Sequence, residues 1–93
     1  MHKFRESKVY QKALQFCKHA RRVTRSFPRE ELFVLIAQFR RAADSIILNI
    51  AEGTGNSSKN EIMKFLTYAI RSGYECGACL DIALNETLRH SDY

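Results

Sequence analysis

The residues in this chain best suited to chemistry are Cys76 and Cys79, spaced as C-x-x-C, with a third thiol at Cys17 and imidazoles at His2, His19 and His90. Such a thiol pair binds zinc when a second ligand pair faces it, or cycles through a disulfide when it follows a strand and opens a helix. Neither context is visible. The pair lies inside a helical pattern, where small buried residues are the simpler reading, and Cys17 and His19 would be the nearest further donors. A Ser–His or Cys–His site needs a nucleophile beside its base, and no such pairing can be read along the chain. We therefore assign no catalytic residue, cofactor, metal ligand or small-molecule substrate, and read the chain as a non-enzyme. Gly53 to Ser58, GTGNSS, precedes a helix start where phosphate can dock, but it lacks the lysine and spacing of a P-loop and reads as a plain connection.

The charges are more informative. From Met1 to Arg29 nine positive residues face Glu6 alone, a net charge of +8, while the rest of the chain has six positive and nine negative residues, a net charge of −3. Such asymmetry points to a polyanionic partner. Lys8, Lys12, Lys18, His19, Arg22 and Arg25 fall together on one side of a helix at about 100° per residue. Surface helices usually mix signs at i,i+4, and this one hardly does. Lys8, Lys12, Lys18, Arg22 and Arg25 are the candidate phosphate contacts to RNA or DNA; the bland alternative is a solvated helix face.

The elements that must position these residues are helices. The chain has 93 residues with one proline and four glycines, 45% hydrophobic and 27% charged, which fits one all-α domain over residues 1–93. Val9, Tyr10, Ala13, Leu14, Cys17, Ala20, Thr24 and Phe27 predict a first amphipathic helix over about 6–26. Phe27-Pro28 separates it from a second over about 29–51, with Glu30 and Glu31 favourably near its N-terminus. Its main stripe is Leu32, Leu35, Ile36, Phe39, Ala42, Ala43, Ile46, Ile47 and Ile50. Gly53 suits a left-handed helix end, and Ser58 with Glu61 forms a capping box opening a third helix over about 58–88. Gly73 and Gly77 in that helix predict close approach of another helix or a Tyr ring, because each costs about 1 kcal/mol relative to alanine.

The second helix has a further apolar strip, Val34, Ala37 and Leu48, with Arg41 among them. That strip predicts a subunit interface. Arg41 there needs a carboxylate, for which Glu75, or Glu52 of a neighbouring copy, is the candidate. Arg40 and Asp44 are spaced for an i,i+4 ion pair. Gln38, Ser45 and Asn49 line one edge of the main stripe, spaced to face another helix. Asn49, Glu52 and Glu75 are taken as structural polar residues.

FPREE (Phe27 to Glu31), QFRRAADSIILNIAEG (Gln38 to Gly53), SSKNE and FLTYAIRSGYE (Phe65 to Glu75) resemble the bacterial four-helix-bundle proteins of 23S ribosomal RNA intervening sequences. The accessory variability determinant of diversity-generating retroelements is a relative of that family. The resemblance spans about Val9 to Leu84. It implies an antiparallel up-and-down bundle of the four-helix type, a ring-like homopentamer and no enzymatic activity, with basic nucleic-acid-binding surface in the retroelement relative. Ile47, Asn56 and Gly73 depart from the proline, arginine and leucine usual in the family. The fourth helix it implies after Leu88 has no counterpart, so either the chain is cut short or three helices borrow a fourth wall from another subunit. MHKFRESKVYQKA lacks the apolar run of a secretory signal, no long apolar stretch suits a membrane, and the odd cysteine count fits a reducing compartment. The expectation is a cytoplasmic homo-oligomer that binds nucleic acid, or alternatively a structural or protein-interaction oligomer.

Overall fold

The computed structural model describes residues 4–56 and 58–91, those at 29–31 and 87–91 by backbone alone. A 3-10 turn, Phe4–Glu6, leads into three α-helices: α1 (Lys8–Thr24), α2 (Arg29–Thr54) and α3 (Lys59–Ser91), with no strand among the described residues. The fold is all-α, as the hydrophobic periods predict.

The helix ends follow from local chemistry. Ser7 caps α1, its hydroxyl accepting from the Tyr10 N–H at 3.1 Å. Pro28 precedes α2 with ψ 106°, and its carbonyl takes the Leu32 N–H at 3.1 Å, the start of the helical ladder. Proline fits this place because its missing N–H would have no helical partner. Ser58 accepts from the Glu61 N–H at 3.4 Å, the serine half of the expected capping box. The expected roles of Glu30 and Glu31 lie outside the described side chains, as does any role of His2, His90 or Tyr93.

Helix α2 is the centre. Its buried Leu32, Ile36, Phe39, Ala42, Ala43 and Ile50 lie on the predicted stripe, and burying a side chain such as Ile36 or Phe39 contributes roughly 1.5–3 kcal/mol. Three core levels run along it: Ala13, Ile50 and Ala69; then Cys17, Ala20, Phe39, Ala43 and Cys76; then Leu32, Ile36 and Ala83. Positions rising along α1 and α3 meet positions falling along α2, so the order is antiparallel up-down-up. Ala42 and Ala43 keep the middle level thin enough for the Cys17 thiol to donate to the Ala43 carbonyl at 3.1 Å. Helices α1 and α3 both pack along α2 and make no close backbone approach to each other.

Three sequence expectations change. Gly53 is helical, inside α2, and no described glycine has a positive φ. Its role is close packing: a Cβ there would stand 3.2 Å from Phe65 Cβ and 3.4 Å from the Ile62 carbonyl. The helix instead ends at Gly55, whose N–H reaches the Ala51 carbonyl at 3.0 Å. Gly73 and Gly77, by contrast, have nothing within 4 Å of an added Cβ, so no neighbour in this chain uses their small size. The Arg40–Asp44 pair is replaced by contacts between helices, described next.

Candidate nucleic-acid interface

Ala13, Cys17, Ala20 and Thr24 turn one side of α1 into the core. That burial sends Lys8, Lys12, Lys18, His19 and Arg22 to solvent, followed by exposed Arg25 just past the helix end. No side chain of these six makes a hydrogen bond or ion pair among the described residues. From Lys8 to Arg25 the ridge is about 25 Å long at the rise of an α-helix. Helix α1 contains no acidic residue, so nothing on it offsets the ridge. Part of the positive charge near Arg21 and Arg22 complements the C-terminal end of the helix dipole.

The exception on α1 is Arg21. Its guanidinium makes two parallel bonds to Asp44, both 2.8 Å, with side chains 41% and 44% exposed. Hydrogen bonding to Arg21, helped by its charge, holds the Asp44 carboxyl below the ordinary aspartate range. The same bond raises Arg21. Arg40, left without Asp44, donates from Nε to Thr24 Oγ1 at 2.9 Å, while the Thr24 hydroxyl can donate to the Ala20 carbonyl at 2.9 Å or that of Arg21 at 3.1 Å. Thr24 is fully buried. This α1–α2 lock was missed in the sequence. Its signal was the placing of Arg21 four residues after Cys17 and three before Thr24, at the edge of the buried stripe.

The other predicted residues divide. Val34, Ala37, Arg41 and Leu48 are all exposed on α2, with Val34 at 74% and Leu48 at 64%. Arg41 has no carboxylate partner among the described residues of this chain, so Glu75 does not serve it. Glu75 instead accepts from Gln38 Nε2 at 3.4 Å across α2 and α3. Asn49 donates to the Ser45 carbonyl at 2.8 Å and hydroxyl at 3.1 Å, and Ser45 meets the Ser72 hydroxyl at 2.9 Å, a polar link from α2 to α3. Glu52 is exposed, and its backbone carbonyl accepts from Asn56 Nδ2 at 3.0 Å.

All three thiols are free and buried. Loss of solvation raises each of them, Cys76 to about 11 with Cys79 and Glu75 adding to the effect. A thiolate is what metal binding and disulfide exchange require, and this setting disfavours it. Among the described residues no group of three or more His, Cys, Asp and Glu could hold a metal ion, and no helix is long and apolar enough to cross a membrane.

The profile of the family described as 23S rRNA-intervening sequence protein matches residues 5–92, and the chain belongs to that family. No curated protein and no solved structure matches it.

Proposed function

We propose that this member of the 23S rRNA-intervening sequence protein family is a non-enzymatic, oligomeric helical-bundle protein that binds RNA or DNA phosphates through the outer face of α1. The observation that carries this reading is the state of the α1 cations. Lys8, Lys12, Lys18, Arg22 and Arg25 are exposed together without acidic neighbours on the helix, whereas Arg21 is engaged by Asp44. Cations held to solvent on one rigid rod suit a phosphate backbone, which they position without reading its sequence. The oligomer is supported by the apolar outer face of α2, where Val34 and Leu48 surround Arg41. Grouped exposed apolar residues of that kind mark interaction surfaces. The resemblance favours a pentamer, and the odd number of cysteines favours a reducing compartment such as the cytoplasm.

Binding of a labelled RNA or DNA is expected to weaken steeply with salt, since each neutralised phosphate releases counterions. Triple charge reversal at Lys12, Lys18 and Arg22 is expected to abolish it. Absence of binding at low salt, or retention that salt does not affect, would sink the proposal. The same exposed faces favour a second reading, an oligomer that meets an acidic protein through α1. Isolation of the complex from cells with and without nuclease separates the two, because a protein-only partner survives the nuclease.

A further inference from the structure

The cations on the outer face of α1 are unevenly strung. Lys8 and Lys12 lie one turn apart at its start, while Lys18, Arg22 and Arg25 crowd its last two turns and the residue beyond. Between Lys12 and Lys18 the helix rises about 9 Å without a charge, and the centres of the two groups stand about 17 Å apart along the axis. At about 100° per residue they are also turned by roughly a quarter of a circle around it. Midway between them, in height and in direction, is Gln15, exposed and without a side-chain hydrogen bond among the described residues. The amide one turn earlier, Gln11, is tied to the Arg5 carbonyl.

We propose that the two groups grip the two strands of a double-stranded nucleic acid, with α1 lying across the wide groove between them and Gln15 over its floor; this rests on the phosphate-binding reading given above. The wide groove of B-form DNA is about 12 Å across, a span between the inner and the centre-to-centre separations of the two groups. Double-stranded RNA offers an open face of its own in its wide, shallow minor groove. An uncharged stretch fits over a groove, whereas a single strand laid along the helix would pass a phosphate over Gln15 with no cation to meet it. Stiffness points the same way. Both groups belong to one unbroken helix and its cap, so their spacing is set before binding. The phosphates of a duplex are set too, but a single strand must lose freedom to match them. Single strands recover such a loss by stacking bases on aromatic rings. Helix α1 has two aromatic residues, and both are engaged off the ridge: Tyr10 edge-on with Phe4 at 5.1 Å between centroids, and Phe16 edge-on with Phe39 at 6.5 Å.

The test compares a labelled duplex of about 16 base pairs, which outreaches the ridge at about 3.4 Å per pair, with each of its separated strands, in a DNA and in an RNA series. The wild type is expected to bind the duplex about tenfold or more tightly than either strand, and the series with the larger ratio identifies the groove. Two variants remove one group each: Lys8→Gln with Lys12→Gln, and Lys18→Gln with Arg22→Gln and Arg25→Gln. Each is expected to weaken duplex binding and to bring the ratio of duplex to single-strand affinity close to one, with helical circular dichroism kept, because the remaining group holds one strand only. Equal affinity for duplex and single strands in both series, or tighter binding of the single strands, overturns the bridging of two strands and leaves the phosphate-binding reading standing. A duplex preference that either variant keeps overturns the bridging as well, since one group would then suffice. Absence of binding to every probe overturns both the bridging and the reading beneath it.

Discussion

Arg21 and Arg22 are neighbours in sequence with opposite fates, and replacing each by alanine separates stability from binding. If Lys8, Lys12, Lys18, Arg22 and Arg25 each neutralise one phosphate of a duplex, the logarithm of affinity falls against that of salt with a slope of about −4.5, roughly 500-fold between about 50 and 200 mM. Arg22→Ala removes one contact, so the slope is expected to ease to about −3.6 and the same salt step to cost roughly 150-fold. Its effect on stability is expected to stay within about 0.5 kcal/mol, since it is a surface change away from any lock. Arg21→Ala is expected to leave the slope unaltered. It removes two 2.8 Å bonds to Asp44, and because both side chains are about two-fifths exposed the loss is about 1 kcal/mol or less. Fluorescence anisotropy of a labelled duplex across the salt series gives the slopes, and urea unfolding gives the stabilities. Equal easing of the slope by both variants, or none by Arg22→Ala, would refute the division of roles drawn from the exposed and engaged cations.

The Asp44 carboxyl is held below its ordinary range by Arg21, so its contribution to stability is present above the unfolded aspartate value of about 3.9 and is lost as pH falls through the lower folded value. Asp44→Asn is expected to flatten that part of the acid limb in unfolding measured between about pH 5 and 2; an unchanged limb would show that the pair contributes nothing. Cys17, Cys76 and Cys79 are buried with raised thiols. A thiol reagent at neutral pH is expected to react with them at the rate of unfolding, and prompt reaction of the folded chain contradicts their burial. Gly53→Leu is expected to lower the thermal midpoint sharply, because its Cβ alone would come within 3.2 Å of Phe65 Cβ, and a midpoint equal to the wild type would mean that α2 and α3 separate there without cost.

The hydrophobic periods carried the architecture. The stripe from Leu32 to Ile50 is the core side of α2, and Val34, Ala37, Arg41 and Leu48 do lie outside it. Where the reading failed, a contact between helices had displaced a contact within one. Arg40 and Asp44 have the spacing of an ion pair, yet Asp44 meets Arg21 from α1 because a two-bonded guanidinium fork outcompetes a single helical pair. Gly53 looks like a helix end, yet it lies inside α2, where α3 stands too close for a side chain. Gly73 and Gly77 suggested the same closeness and face space instead. Spacing along one helix reports which residues share a side; it holds no information on which neighbour arrives at that side.

The placement of α1 and α3 on α2, without close backbone approach between them, also sets an order of loosening. Helix α1 is expected to detach while the α2–α3 hairpin persists, since its polar attachments, the Arg21–Asp44 fork and the Arg40–Thr24 bond, are to α2, and it shares with α3 only core packing, as where Cys17 and Ala20 lie with Cys76 and Cys79. Amide protons of α1 should then exchange before those in the middle of α3, as separate cooperative units. The basic helix is thus the outermost leaf of a hinge, and a polyanion that grips it acts on the least securely closed part of the molecule.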